Sequence, residues 1–408
     1  MKNKKMKILF LSNRNPFPMI DGQSTRTYNI LKGLAEKHDV YLLSLNESPY
    51  EIDFINLRHL KGFCKNVEMI QAPYKKIGFS MIVRLLLSLF SFKPYTIWRH
   101  YSKVFLKRVR QVVKITKFDL IHCDILPLSY AIENIKQIPC VITDHDVSYL
   151  KALRMATNTH NIFLKLFLFL ESLKLKGLER NVFKHVKVGI LVSATDKQYL
   201  KRLCPEGNFQ VLENGVDTDK FYPFHDRIED NTLLWIGGFE YHPNEEAIYF
   251  FLDKIYPLIK KKVNDVKINL VGSNVTNRLK KFAKQDSSIR FTGFVDDTIL
   301  YYRKAAVFIV PILSGSGTRL KILEAMSMGK AIVTTSIGCE GIDGKNNKHY
   351  MVANNPKKFA FDTLRLLNDK NMRIMLGRNA RRLAKGKYDW KNIWNKMDKI
   401  YREVANCG

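Results

Sequence analysis

The sequence predicts an α/β protein of two domains, each a parallel, Rossmann-like sheet flanked by helices. Three observations carry that expectation. Short apolar runs alternate with amphipathic helical patterns along most of the chain, which is the pattern of strands joined by crossover helices. The alternation comes as two series, separated by a stretch from Asn214 to Asn231 that holds Asn-Gly, Pro223 and a run of acids and reads as a linker. The 408 residues, at about 150 per domain, allow two to three domains with a large buried core.

The first series of candidate strands is Ile8 to Ser12, Val40 to Leu45, Val67 to Gln71, Leu120 to Cys123, Cys140 to Thr143, Val188 to Val192 and Gln210 to Leu212. The second is Leu233 to Gly237, Ile268 to Gly272, Ile289 to Gly293, Val307 to Pro311, Ala331 to Thr335 and Tyr350 to Ala353. The boundary between the domains falls near residue 220. From Tyr388 to Asn406, Trp390, Trp394, Met397 and Tyr401 recur at helical spacing and predict a terminal amphipathic helix. No solenoid-period repeat or low-complexity tract interrupts this scheme.

Hydrophobic residues at 46% and charged residues at 26% are ordinary globular usage, which excludes a disordered or collagen-like chain. Charge is the unusual quantity: 67 Lys and Arg against 38 Asp and Glu leave a net +29. Such a balance favours polyanions, meaning nucleic acid, anionic lipid or phosphate-bearing substrates. It is concentrated from Met69 to Phe118, where eleven Lys and Arg occur without one Asp or Glu, interleaved with Phe79, Phe90, Phe92, Tyr95 and Trp98. That composition suits an interfacial helix pair on an anionic membrane; the alternative is core residues beneath a solvated basic face. No RNP, zinc-finger or helix-turn-helix signature points to nucleic acid.

The most apolar stretches, Ile77 to Phe92 and Ile162 to Leu178, are shorter than the ~20 clean residues of a spanning helix and each contains a charge. The chain is expected to lie on a membrane rather than cross it. Six scattered cysteines form no Cys-x-x-Cys pair or metal-spaced cluster, which predicts reduced thiols in a cytoplasmic protein. No signal peptide follows the basic start. Walker A, Gly-x-Ser-x-Gly and zinc spacings are also missing, which removes P-loop NTPases, hydrolase triads and metalloenzymes. The triplets Asp144-His145-Asp146 and Asp217-Thr218-Asp219 are of a kind common by chance and predict no metal site.

The stretch from Val307 to Thr335 is the most informative for chemistry. A buried strand ends at Pro311, a loop with Gly315 and Gly317 follows, and a helix runs from near Arg319 to Gly329. Glycines let backbone N–H groups approach a ligand, and a helix N-terminus favours phosphate. Arg319 and Lys321 add full charges, and Glu324 is placed to accept hydrogen bonds from two ribose hydroxyls. The plain alternative is a tight turn with a capped helix.

PILSGSGTRLKILEAMSMGKAIVTT resembles the donor-site signature of retaining glycosyltransferases of family 4, whose members have the GT-B fold of two facing Rossmann-like domains. The resemblance extends along nearly the whole chain. Asn214-Gly215-Val216-Asp217 with Phe221 and Pro223 resembles the family's interdomain segment, LWIGGFEYHPN its first C-domain strand and loop, and Phe291 to Val295 its base-binding strand. Pro16-Phe17-Pro18, Asp21-Gly22 and Arg26 resemble the N-domain glycine loop. FDLIHCD at 118–124, Asp144 to Asp146, Ser193, Asp196 and Tyr388-Asp389-Trp390 also fall in family order.

The resemblance implies an acceptor-binding domain over 1–220, a nucleotide-sugar-binding domain over 221–387, and a helix over 388–408 that returns to the N-domain. It implies metal-independent transfer of a sugar, with retention, from a UDP- or GDP-linked donor. Glu324 would hold the ribose, and Gly315, Ser316, Gly317, Thr318, Arg319 and Lys321 would hold the diphosphate. Gly238 would join them from the first C-domain loop, Phe294 and Val295 would border the base, and Gly22 would close against the diphosphate. On the acceptor side it implies Arg26, His122, Asp124 and His145, with Asp124 and His145 nearest the chemistry. No protein nucleophile is implied.

Two departures stand out. Many relatives carry a second glutamate where this chain has Ser316, and an Arg and a Lys after the first C-domain strand where it has Phe239 and Asn244. Arg319 and Lys321 are expected to supply the missing charge. The acceptor is expected to be a saccharide or lipid-linked saccharide at the inner face of the cytoplasmic membrane, contacted through residues 69–118, in surface polysaccharide or lipopolysaccharide synthesis. The alternatives are a GT-B nucleotide-sugar epimerase and a non-enzymatic membrane or nucleic-acid binder on the same fold.

Overall fold

The computed structural model describes residues 4–46, 54–72, 79–159, 161–223, 228–315 and 317–406; Ser316, Lys75 and Lys76 lie outside the described residues. The chain forms two compact units, Met1–Glu213 with Ile393–Gly408, and Asn214–Asn392. The first unit therefore gives way to the second at Glu213 rather than near residue 220. The reason lies in the pairing that follows: Val216 bridges to Asp389 and Thr218 bonds the Asp389 carboxylate, which ties the expected linker into the second unit.

The first unit holds β1 (Lys7–Ser12), β2 (Asp39–Asn46), β3 (Asn66–Gln71), β4 (Leu120–Cys123), β5 (Cys140–Asp144), β6 (Val188–Leu191) and β7 (Phe209–Val211). They form one parallel sheet in the order β3-β2-β1-β4-β5-β6-β7. The second unit holds β8 (Glu229–Ile236), β9 (Lys267–Val271), β10 (Ile289–Gly293), β11 (Ala305–Val310), β12 (Ala331–Thr334) and β13 (Met351–Val352). Its sheet is also parallel, in the order β10-β9-β8-β11-β12-β13. Every candidate strand of both series is present. The central strands are covered on both faces, so they carry continuous apolar runs: all six residues of β11 are buried, whereas the edge strands β3 and β10 are only partly buried.

In each sheet the chain builds outward from its first strand in one direction and then returns to build the other way. The reversal falls between β1 and β4 in the first unit and between β8 and β11 in the second. Loops leaving the carboxyl ends of the two strands diverge there and leave a crevice, which is where open α/β sheets bind ligands.

The helix Trp390–Asn406 begins in the second unit, where Trp390 lies so close to Gly215 that a Cβ there would collide with the ring. From Ile393 on it belongs to the first unit. The Trp394 indole fills the space beside Gly33 and its Nε1 donates to the Asn29 carbonyl at 2.8 Å. Lys396 pairs with Glu213 at 2.7 Å, and Asp398 accepts from His38 at 2.9 Å.

Candidate functional site

In the second unit, two glycine-bearing loops flank the crevice between β8 and β11. After β8, Gly237 has φ +155°, and its carbonyl lies where a Cβ on Gly272 would stand, so two backbones meet without side chains between them. After β11, Gly315 and Gly317 have φ of +104° and +80°, a left-handed conformation that turns the loop into helix Leu320–Ser327. Arg319 is the N-cap of that helix and caps it with no side-chain bond. Its guanidinium folds back on the loop instead, with Nη1 donating to the Gly317 carbonyl at 2.9 Å. Thr318 is buried, and its Oγ1 has no hydrogen-bond partner among the described residues. A buried orphan hydroxyl at a glycine loop is a group still in need of a ligand.

The first turns of the helix place two opposite charges side by side. Lys321 Nζ lies 3.6 Å from the centre of the Trp235 ring and donates to Asn244 Oδ1 at 3.1 Å. No carboxylate pairs with it among the described residues. Burial, with Arg319 beside it, holds the Lys321 ammonium well below the usual lysine range. Glu324 is pushed up to about 7 by burial. Its Oε2 accepts from Tyr302 Oη at 3.1 Å, and the same hydroxyl lies 3.1 Å from the Lys321 carbonyl. Tyr302, fully buried on helix Ile299–Lys304, thus orients Glu324. The Lys321 ammonium lies beside Gly237, in the glycine loop to which Asn244 is anchored by donating to the Gly238 carbonyl at 2.8 Å.

The other donor-side residues take different places. Gly238 lies in the same loop, with its carbonyl engaged by Asn244. Phe239, which stands where relatives carry arginine, is buried and packs edge-on to Phe291. Phe294 is 70% exposed, whereas Val295 is half-buried against the core. Tyr302 escaped sequence reasoning because its role depends on a helix two elements upstream of Glu324; the signal available was a tyrosine in a short helix just before the motif strand.

In the first unit, the β1 to β4 crevice holds a polar cluster. Asp124, immediately after β4, is 1% exposed and accepts from Thr27 Oγ1 at 2.5 Å. His145 Nε2 lies 2.7 Å from the Asp124 carbonyl and 3.4 Å from Oδ1, and His122 Nε2 lies 3.6 Å from Oδ1. Burial alone would raise the Asp124 carboxyl, but His145 and His122 outweigh it and hold it well below the usual range. His122 is buried, stacked on Phe10 at 4.3 Å, with Nδ1 against the Tyr401 hydroxyl and Nε2 3.2 Å from Thr143 Oγ1. Burial lowers its affinity for a proton. His145 is the member of this cluster that reaches solvent.

Arg26 does not line the crevice. It is 1% exposed, and its Nη1 and Nη2 donate to the carbonyls of Glu213 and Leu212 at 2.9 and 2.8 Å. Burial lowers it to about 10 although Asp124 pulls the other way. A direct acceptor contact gives way to a strut between the first helix and the end of the unit. Gly22 opens helix Gly22–Ala35 behind the cap of Asp21, whose side chain accepts from Ser24 N. Asp144 is buried against Glu179; burial raises both carboxyls, the neighbouring Glu179 raises Asp144 further, and the hydrogen bond from Asp144 pulls Glu179 back down. Among the described residues no group of three His, Cys, Asp or Glu side chains is arranged to hold a metal ion.

Paired parallel Rossmann-like sheets, with a glycine loop, two cations and a carboxylate at the second switch point, define the GT-B class of nucleotide-sugar glycosyltransferases. The model for glycosyltransferase family 4 matches residues 20–220, and that for glycosyl transferases group 1 matches 230–369. The chain belongs to glycosyltransferase family 4, a retaining family. It is 24% identical over 408 residues to an uncharacterized 44.6 kDa protein in the cps region of Klebsiella pneumoniae, covering 96% of this chain and 99% of that one. It is 23% identical over 324 residues to the phosphatidyl-myo-inositol mannosyltransferase of Mycobacterium tuberculosis, covering 74% and 78%. Sucrose-phosphate synthase from Thermosynechococcus elongatus shares the fold with TM-score 0.77 at 15% identity over 99% of this chain and all of that one. Anabaena HepE in complex with UDP does so with TM-score 0.68 at 14% identity, over 98% of this chain and 100% of that one.

Proposed function

We propose that this family 4 enzyme transfers a hexose from a UDP- or GDP-linked donor, without a metal, to a saccharide or lipid-linked acceptor in surface polysaccharide or lipopolysaccharide synthesis. The observation that carries the donor half is the helix Leu320–Ser327: one glycine-led N-terminus brings together an orphan Thr318 hydroxyl, a half-buried lysine that makes no direct ion pair among the described residues, and a glutamate oriented by Tyr302. A diphosphate supplies the missing negative charge, and a ribose supplies two hydroxyl donors for Glu324.

As the glycosidic bond breaks, charge develops on the departing diphosphate. Lys321, Arg319 and the loop N–H groups are oriented to stabilise it where it forms. The acceptor hydroxyl enters from the leaving-group face and gives its proton to the departing phosphate. His145, at the solvent edge of its cluster, positions the acceptor or the sugar, and Asp124 fixes the imidazole. Capsular and phosphatidylinositol relatives support a cell-surface acceptor, and the basic segment 69–118 supports its presentation on the inner face of the cytoplasmic membrane. The test is calorimetric titration of chelator-treated protein with UDP, GDP and their sugars. One nucleotide binds without metal, and Glu324→Ala abolishes binding; absence of binding by the unaltered protein overturns the reading.

A further inference from the structure

Helix Ile162–His185 is amphipathic in the wrong sense for a helix in water. Its inward face carries Glu171, Ser172 and Glu179 beside Leu175 and Phe183, all buried. Those polar groups are engaged: Glu171 accepts from Tyr95 N at 2.8 Å, Ser172 donates to the Tyr149 carbonyl at 3.0 Å, and Glu179 accepts from Ser148 N at 2.6 Å. The outward face of its first three turns is apolar instead, with Ile162 68% and Phe163 82% exposed, and Leu166, Phe169 and Leu173 exposed behind them. A surface helix in water buries its apolar stripe.

A second apolar edge adjoins this face within the same unit. Helix Phe79–Leu89 and the turn after it expose Leu86, Leu89, Phe90 and Phe92, the last completely. Lys174 Nζ donates to the Ser88 carbonyl at 2.5 Å, and the Tyr95 and Phe167 rings meet edge-on at 6.4 Å, which locks the two elements together. The described segments that carry the surface, 79–118, 147–159 and 161–170, contain no Asp or Glu, while Lys93, Arg99 and Lys165 are exposed on them.

We propose that these two edges form one apolar surface that enters the headgroup and upper acyl region of an anionic bilayer, with the surrounding bases on lipid phosphates. This rests on the membrane part of the function proposed above and adds helix Ile162–His185, which lies outside the basic segment, as the inserting element. A bilayer fits the surface better than a second copy does, because a second copy would bring two acid-free basic surfaces together. No helix among the described residues is long and apolar enough to cross a membrane, so the attachment is interfacial.

Sedimentation with phosphatidylcholine vesicles, with and without phosphatidylglycerol, tests the surface on the full chain. Phe163→Ser/Leu166→Ser/Leu170→Ser and, separately, Phe90→Ser/Phe92→Ser each lower the partition coefficient on anionic vesicles about tenfold or more. Because all five side chains are exposed, melting temperature and UDP affinity stay unchanged. Lys103→Gln/Lys107→Gln/Arg110→Gln lowers binding to anionic vesicles and leaves the weak binding to neutral ones. If the basic variant loses binding while both apolar variants keep it, insertion is overturned and the electrostatic membrane reading stands. If the unaltered protein binds no vesicle, both are overturned. A dimer in analytical ultracentrifugation that dissociates in the Phe163 variant assigns the face to self-association and also overturns the proposal.

Discussion

The two crevices sit at equivalent places in equivalent sheets, yet they are built from opposite materials. The β8–β11 crevice takes most of its charged groups from one loop and the helix after it, and it is left with surplus: a lysine that makes no direct ion pair among the described residues, an orphan Thr318 hydroxyl and a carboxyl raised to about 7. The β1–β4 crevice is assembled from distant pieces: Thr27 donates to one Asp124 oxygen, while His122 and His145 stand 3.6 and 3.4 Å from the other, Oδ1, which is buried without a hydrogen bond among the described residues. Each crevice thus keeps a buried polar atom that a ligand can complete, Thr318 Oγ1 in one and Asp124 Oδ1 in the other, and the difference between them is how local their parts are in the chain.

The largest expected effect breaks the first crevice. Glu324→Ala removes the acceptor of two ribose bonds at about 1.5–3 kcal/mol each, so UDP affinity falls about a hundredfold or more in calorimetry while the melting temperature holds. Arg26→Met tests the second crevice. It removes the two bonds from Arg26 to the Leu212 and Glu213 carbonyls, and denaturant titration should show a loss of about 3 kcal/mol with nucleotide affinity unchanged. Retained stability with a raised acceptor KM would instead return Arg26 to the site.

Two smaller effects sharpen the contrast. Glu324 must be ionised to accept ribose hydroxyls, and its carboxyl titrates near 7; between pH 8 and pH 6 UDP affinity therefore drops about tenfold. On the alkaline side it drops again as Lys321, held well below the usual range, loses its proton. A flat profile across both limbs would show that neither group bears on the nucleotide. Tyr302→Phe removes the bond that orients Glu324 and is expected to cost about 1 kcal/mol, read as an affinity about fivefold weaker and an acid limb moved to higher pH.

This contrast also explains what was legible beforehand. Strands covered on both faces are continuous apolar runs, so every one of β1 to β13 was visible in the sequence. The glycine loop and the charges of the helix after it were visible because Gly315, Gly317, Lys321 and Glu324 lie within a few residues of one another. The burial of Arg26 was not legible because its carbonyl partners lie 186 and 187 residues away, and neither was the bond from Tyr302 to Glu324, which spans 22. Ile162 to Leu178 could be read as too short to span a membrane, but which of its faces turns outward is fixed by Glu171 and Glu179 reaching Tyr95 and Ser148.

The socket at Gly33 has a consequence for the order in which the molecule is made. The second unit is one uninterrupted stretch, Asn214–Asn392, so all of its partners have left the ribosome once residue 392 emerges. The first unit, although begun earlier, lacks Trp394 beside Gly33, Asp398 beside His38 and Tyr401 beside His122 until residues 394–401 have followed the second unit out. The half synthesised first is thus the half completed last, and until then a nascent chain presents an open apolar socket to whatever chaperone meets it.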